Sequence, residues 1–475
     1  MIAGAPAPSP RLSFIVLGAV CVAFGLIAGA LPNPLLAAGA VCGIAFLLIA
    51  LVAPVVALTG FVALTFISQL SGVGASVSVA KGAGAALVLA WLYHEGIGER
   101  RFAARASVRL FAIVAGAFVV LGIMSALWAA DPHAALSATF RLAQGPLLVI
   151  VVASIVRTPK SLLTVCMAFV IGAAVSAGAG MVGLNHTDQT IASTGRLSGG
   201  VVADPNYLAA VLVPGIILSL FLALTLESTR AKLLVGLCGL ISTVGLFLTQ
   251  SRGGVIALTV AAVGAIMIAG RLRRQIVVVL LVIAAFASMY LFLVAPPQSL
   301  SRITSFTAAG SSGTGRTDLW AVAVKTFEGH PFVGVGADNF TVVEQRYAVD
   351  FNRNLPRADL VVQQHEQVHN TYLQVASELG AAGIVLFLVT IGVAFRACRR
   401  AILQTRRGDV SAISRALFVG CLGMLVAFVF LTAQYQKQLW LVIALLLAAG
   451  GTAAAERELL PVSSERLRRR PSPQR

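Results

Sequence analysis

The chain has 475 residues, of which 58% are hydrophobic and only 11% are charged. Its mean hydropathy of +0.92 excludes an ordinary soluble globular protein. The formal net charge of +17 could suggest nucleic-acid binding, but the basic residues cluster in alternate connections between apolar runs. That alternation is typical of the cytoplasmic loops of membrane proteins, so we expect no nucleic-acid partner.

Apolar runs of membrane-spanning length recur along most of the chain. They predict an all-α polytopic membrane protein with about 12–14 transmembrane helices, the lower number applying because the weakest early runs are short and rich in glycine and alanine. The chain also has one large hydrophilic segment, which we expect to be mainly helical. The runs cover residues 13–30, 35–53, 55–70, 78–94, 108–129, 141–156, 161–183, 206–226, 232–249, 253–270, 275–295, 380–396, 413–432 and 437–453.

The charges of the connections predict an orientation and four parts of the chain. Basic connections and both termini are expected to face the cytoplasm, where they also attract membrane lipids with anionic headgroups. The large segment is close to neutral, as an exported loop should be. The parts are residues 1–295 with transmembrane helices and short loops, 296–379 as a large outer loop, 380–455 with the C-terminal transmembrane helices, and 456–475 as a basic cytoplasmic tail.

Two arginines stand out in the shorter outer connections. Arg252 lies in "FLTQSRGGVIAL" between two apolar runs, where an arginine is costly unless it is paired or faces water. The alternative interpretation is a polar hairpin tip in which Gly253 and Gly254 form a tight turn. Arg196 lies in "STGRLSGG", where glycines let the backbone approach a ligand closely, although it could equally be an ordinary loop arginine.

A third arginine, Arg316, opens a predicted helix over residues 318–328 in the large loop. Helix N-termini favour anions, and an arginine there adds a forked phosphate donor. The alternative is an exposed arginine that pairs with Asp318. The next stretch, "EGHPFVGVGADNF", ends the helix at His330-Pro331, and we interpret His330 as a structural residue.

Residues 365–369, "HEQVH", fit the zinc-binding pattern H-E-x-x-H. The spacing predicts a helix over 361–379 with His365, His369 and Tyr372 on one face. A zinc protease also needs a third ligand, and the chain beyond Glu378 is apolar through Phe395. We therefore interpret the match as a coincidence around His369 and predict no metal.

A histidine and several arginines on the outer face fit glycosyl transfer from a lipid-linked pyrophosphate sugar. Arginine stays charged and forks onto phosphate oxygens, so arginines can hold the leaving pyrophosphate. A neutral histidine can take the proton of the attacking hydroxyl. The alternative from another class is a solute transporter, but transporters carry ionisable residues in mid-span, and these spans are almost free of charge.

Five stretches of the sequence resemble the O-antigen ligase family: "ADPNYLAA", "TQSRGG", "TGRTDLW", "GHPFVGVGADNF" and "HNTYLQVASELGAAG". The resemblance spans roughly residues 185–455 and implies an inverting glycosyltransferase that needs no metal or other cofactor. It implies transfer of O-antigen from undecaprenyl pyrophosphate to lipid A–core oligosaccharide. The active site would face the periplasm from a multi-pass protein of the bacterial inner membrane.

The resemblance also implies roles for individual residues. His369 would be the general base, Arg252 and Arg316 would bind the pyrophosphate, Arg196 would assist at the phosphates, and Asn370 would orient the histidine at the substrate. The family includes O-antigen polymerases and protein O-oligosaccharyltransferases, which use the same donor and differ in the acceptor. Length, the position of the large loop and the lack of an extra C-terminal domain favour the ligase, while the acceptor sugar and the oligomeric state stay open.

Overall fold

The structure is a computed structural model that describes residues 34–67, 79–97, 106–183, 196–198, 204–293, 316–349 and 366–459. Within these ranges the chain forms fifteen α-helices and two short 3-10 helices, and no β-strand. The predicted all-α class is confirmed.

The α-helices are numbered here in chain order, and their bounds are α1 Pro34–Val52, α2 Pro54–Ile67, α3 Val79–Ile97, α4 Ala106–Ser125, α5 Pro132–Ile155, α6 Pro159–Met181, α7 Pro205–Thr225, α8 Thr229–Leu248, α9 Arg252–Ile268, α10 Arg273–Leu293, α11 Arg316–Gly329, α12 Phe340–Val349, α13 Thr371–Gln404, α14 Gly408–Ala427 and α15 Lys437–Leu459. The 3-10 helices are Gly270–Leu272 and Phe428–Phe430.

Eight helices of the described chain are long and apolar enough to cross a membrane, namely α4 to α8 and α13 to α15. A ninth span is possible if α9 and the first part of α10 count together, although the chain bends by 113° between them. Every predicted run within the described residues coincides with a helix, so the polytopic architecture is confirmed. The number of described helices that could each span a membrane is lower than the predicted 12–14 because the early helices are short or less apolar. The predicted run at 13–30 lies outside the described residues.

Capping residues fix where the spans begin. Asp131, Thr158 and Asp204 precede α5, α6 and α7, and each side chain accepts a backbone N–H of the first turn. A proline follows each cap, where its missing N–H costs nothing. Because α5 and α7 begin at the same end of the bundle, Asp131 and Asp204 lie at that end as well.

The core of the bundle lies around α7 and α15, whose span segments are each 83% buried. Helix α7 packs against α8, α9 and α14, and α15 packs against α5 and α13. The surrounding spans therefore pack on these two helices, which position α9 and α13.

Helix α13 is broken at Gly380, whose φ of 64° and ψ of −165° are nearly exclusive to glycine. The backbone groups freed by the break bond to the segment after α11: Val335 N–H donates to Ser377 O at 3.1 Å, and Ala381 N–H donates to Pro331 O at 2.8 Å. The break therefore positions residues 331–336 and the first two turns of α13 together.

Short connections meet at one end of the bundle, which we call the loop-rich end: residues 126–131, 204–206, 249–251, 330–339, 366–370 and 428–436. Asn339 joins two of them, since its Oδ1 accepts from Asp131 N–H at 2.7 Å and its Nδ2 donates to Asp131 O at 3.1 Å. Arg141 of α5 forms a 2.5 Å salt bridge to Asp338 in the same place. The large hydrophilic segment is thus attached directly to the ends of the spans.

Candidate active site

Arg252 is the first residue of α9, at the loop-rich end. The turn before it is made at Gln250, which has a φ of 51°, and Ser251 caps the helix by accepting from Gly254 N–H at 3.1 Å. Arg252 thus follows a short turn between two helices, but Gly253 and Gly254 do not form that turn, because they lie inside the helix. Gly254 serves close packing instead, since a Cβ there would lie 2.5 Å from the Cβ of Ala209.

Arg196 is anchored in the same corner. Its Nε donates to Thr249 O at 2.9 Å and its Nη2 donates to Asn206 Oδ1 at 3.0 Å. The same Asn206 oxygen accepts from Ser251 Oγ at 2.9 Å, which ties Arg196 to the cap of α9. Asn206 was not among the predicted site residues, and its position in "ADPN", two residues after the cap Asp204, was the available signal.

Arg316 is half-buried and is the first residue of α11, which covers the helix predicted at 318–328. Burial lowers its pKa, nearby Asp204 raises it, and the positive charge of Arg252 lowers it. Arg316 therefore lies within electrostatic range of both Asp204 and Arg252. Two positive charges that influence each other favour a nearby anion, and Asp204 supplies one negative charge.

The helix predicted over 361–379 is wrong for its first part. Residues 366–370 are not helical, His369 has a φ of 52°, and α13 begins only at Thr371. Asn370 stops the helix there because its extended backbone (φ −151°) lets its Oδ1 accept from Tyr372 N–H at 3.0 Å and from Leu373 N–H at 3.1 Å. His369 and Tyr372 do not share a helical face, and His365 lies outside the described residues.

The His369 imidazole lies beside a carboxylate. Its Nε2 is 3.1 Å from Glu366 Oε2, and the two side chains are 30% and 41% exposed. The preceding residue, Val368, is buried against Leu319, Val322 and Phe340, and its N–H donates to Gln374 Oε1 at 3.0 Å. The histidine is thus held between α11, α12 and α13.

The segment 430–433 connects this histidine to the arginine corner. Thr371, two residues after His369, donates to Leu431 O at 2.6 Å and accepts from Ala433 N–H at 2.9 Å. The Phe430 ring packs over Gly253 and lies 6.4 Å from the ring of Trp320 on α11. Arg252, Arg316, His369 and Asn370 are therefore arranged around one short segment, with Arg196 one hydrogen-bonded step away.

Two further predictions concern metals and His330. In the part of the chain that the structure describes, no three His, Cys, Asp or Glu side chains are grouped as a metal site requires. His330 lies apart from the cluster described above, with its Nδ1 2.9 Å from the Tyr347 hydroxyl. It connects the end of α11 to α12, which fits a structural residue.

Comparison with known proteins bears on this same region. Residues 237–388 match the family model described as O-antigen ligase. The matched range begins in α8, ends in α13, and includes Arg252, Arg316, His369 and Asn370, whereas Arg196 precedes it. No curated protein matches the chain as a relative. Over residues 237–388, the chain is therefore similar to the O-antigen ligase family.

Proposed function

We propose that this protein is an O-antigen ligase that transfers a glycan from undecaprenyl pyrophosphate to a hydroxyl of lipid A–core oligosaccharide. The observation that carries the proposal is that the chain around Arg252, Arg316 and His369 meets at the segment 430–433, at one end of the bundle. Two guanidinium groups suit a pyrophosphate, and the apolar spans suit a donor with a long lipid tail.

The reaction that fits this arrangement is a single displacement. The acceptor hydroxyl oxygen attacks the anomeric carbon while the bond from that carbon to the pyrophosphate oxygen breaks, and the electron pair leaves with the lipid pyrophosphate. Attack opposite the leaving group inverts the anomeric centre. Arg252 and Arg316 stabilise the charge that grows on the leaving oxygens, and His369 takes the hydroxyl proton. Neither a metal nor another cofactor is required by these steps.

Within the proposal, Arg196 and Asn370 are supporting residues. Arg196 carries a third positive charge next to the cap of α9 and would assist at the phosphates. Asn370 caps α13 through its Oδ1, which sets the backbone direction at His369. The role of Asn370 is then to orient the base toward the substrate.

The proposed location is the bacterial inner membrane, with the loop-rich end facing the periplasm and both termini in the cytoplasm. The distribution of charge supports this orientation. Arg157, Arg271 and Arg407 lie in connections at the opposite end of the bundle from Arg252, and such basic connections favour the cytoplasm.

The test uses the purified protein in detergent with lipid-linked O-antigen, lipid A–core and excess chelator, and it reads the shift of lipid A–core to long-chain product on a gel. We expect transfer by the wild type and by His330→Ala. We expect His369→Ala to lose roughly 10²- to 10⁴-fold in rate, the range for general-base catalysis.

The outcomes separate the related activities. Elongation of the lipid-linked glycan in the absence of acceptor would identify a polymerase. Full transfer by a correctly folded His369→Ala protein would remove the histidine from the mechanism, and loss of transfer on chelation would overturn metal independence.

A further inference from the structure

We infer that Glu366 is the positioning residue of His369, fixing which imidazole nitrogen accepts the proton of the attacking hydroxyl; this inference rests on the proposed function. The contact that carries it joins Glu366 Oε2 to His369 Nε2 at 3.1 Å. A carboxylate accepts hydrogen bonds only, so Nε2 carries the hydrogen and donates it to Glu366. The lone pair is then left on Nδ1.

The geometry of the contact is imposed by the surrounding backbone. His369 has a φ of 52°, a conformation that costs a residue with a side chain about 1–2 kcal/mol. Its neighbours hold it there, because Val368 is buried and bonded to Gln374 while Asn370 caps α13. A side chain kept in such a backbone conformation by packing on both sides is typical of functional sites.

A second carboxyl group, Glu344, interacts electrostatically with Glu366. Glu344 of α12 is fully buried, and its pKa is raised to about 8 by burial and by the nearby charge of Glu366. The raised pKa of Glu344 favours its protonated form near neutral pH, and the carboxyl group that contacts the imidazole is Glu366. A single negative charge next to His369 can stabilise the positive charge that develops when its imidazole takes a proton.

The proton balance of the step follows from this arrangement. The acceptor hydroxyl gives its proton to Nδ1 as its oxygen bonds to the anomeric carbon, and the bonding pair of the broken carbon–oxygen bond leaves on the lipid pyrophosphate. The imidazole becomes an imidazolium whose Nε2–H still donates to Glu366. The carboxylate stabilises this cation without taking the proton, as in hydrolase triads.

The experiment measures kcat and the donor KM for wild type, Glu366→Gln, Glu366→Ala and His369→Ala. We expect both Glu366 variants to lose at least about 10-fold in kcat, and less than His369→Ala because the base is still present. The donor KM should stay unchanged because the arginines are untouched. The matched control is Glu328→Ala on α11, an exposed carboxylate paired with Lys325 at 3.2 Å, which should behave as wild type.

Chemical rescue separates this role from a structural one. The exposure of both side chains leaves the site of the missing carboxylate open to small ions, so added formate should restore part of the kcat of Glu366→Ala, and chloride at equal ionic strength should not. Neither ion should improve His369→Ala. Restoration by formate would support the inference, and its absence would overturn it.

The two proposals fail differently. Wild-type kcat in both Glu366 variants, together with an inactive His369→Ala, would overturn the positioning role and leave the proposed function intact. Full activity of His369→Ala would overturn the catalytic histidine itself.

Discussion

The proposed function requires arginine at positions 252 and 316, and not merely a positive charge. A guanidinium forks onto two phosphate oxygens, whereas an ammonium acts as a point charge on a flexible stem. We expect Arg252→Lys and Arg316→Lys each to lower kcat/KM by about 10- to 100-fold, since a hydrogen bond to a charged group contributes roughly 1.5–3 kcal/mol. Transfer assays at varied donor concentration check this.

The matched control for these variants is Arg346→Lys, which changes an exposed arginine of α12. It should transfer at the wild-type rate. Equal activity of Arg252→Lys, Arg316→Lys and Arg346→Lys would show that the leaving pyrophosphate is not held by forked contacts at these two positions.

Glu344 should give the folded protein a pH-dependent stability. Its pKa of about 8 in the folded state lies above the ordinary value of 4.5. The folded state therefore keeps a proton that the unfolded state releases, so the contribution of this group is complete below the ordinary value and is lost as the pH rises through about 8. Melting temperatures in detergent should fall over this range, and Glu344→Gln should flatten the decline. An identical slope in the variant would mean that other groups cause it.

The chemistry of single residues could be predicted from the sequence more readily than their contacts. Arginines at the ends of apolar runs and a histidine in the large loop are conspicuous because such placements are costly without a reason. The Glu366–His369 contact was missed because Glu366 was considered only as part of the H-E-x-x-H pattern; in the structure the contact forms before α13, where His369 has a left-handed backbone. A helix through both residues would also have brought them together, because they are three apart, but the cap made by Asn370 starts the helix only at Thr371.

At the scale of elements, the break in α13 depends on two glycines whose backbones touch the facing segment. A Cβ on Gly380 would lie 2.3 Å from the carbonyl carbon of Phe332, and one on Gly334 would lie 2.2 Å from that of Glu378. Gly380→Ala should therefore detach residues 331–336 from α13. Hydrogen exchange should become faster at the amides of Val335, Gly336 and Ala381, which donate across this contact.

Gly392→Ala provides the control on the same helix, because nothing lies within 4 Å of a Cβ at that position. Alanine is a better helix former than glycine, so this variant should keep the wild-type exchange pattern or slow it slightly. Unchanged exchange in Gly380→Ala would mean that the break tolerates a side chain and that the contact is not rigid.

Helices were the easier part of the prediction, because long apolar runs in a membrane protein leave the backbone few other conformations. Their ends were harder. Helix α5 begins at Pro132, nine residues before the predicted run, because Asp131 caps a first turn that hydropathy cannot detect. The glycines after Arg252 suggested a turn, but tight packing against Ala209 and Phe430 explains them.

At the scale of the whole molecule, the proposed function requires the loop-rich end to face the periplasm, where we expect the lipid-linked donor to be used. Exposed arginines on the two sides of the bundle provide matched reporters: Arg346 on α12 belongs to the loop-rich end, and Arg406 follows α13 at the opposite end. Arg346→Cys and Arg406→Cys are placed singly in a background without the native cysteines.

A maleimide that cannot cross the inner membrane should label Arg346→Cys in cells with a permeable outer membrane, and it should label Arg406→Cys only after lysis. The reason is that much of the net charge of +17 lies in connections which, in the proposed orientation, the membrane potential and anionic lipids would hold on the cytoplasmic side. The reverse labelling would place the Arg252–Arg316 cluster in the cytoplasm, where a periplasmic ligase could not work. Labelling of both variants before lysis would show that the reagent had entered, and a cytoplasmic marker protein controls for that.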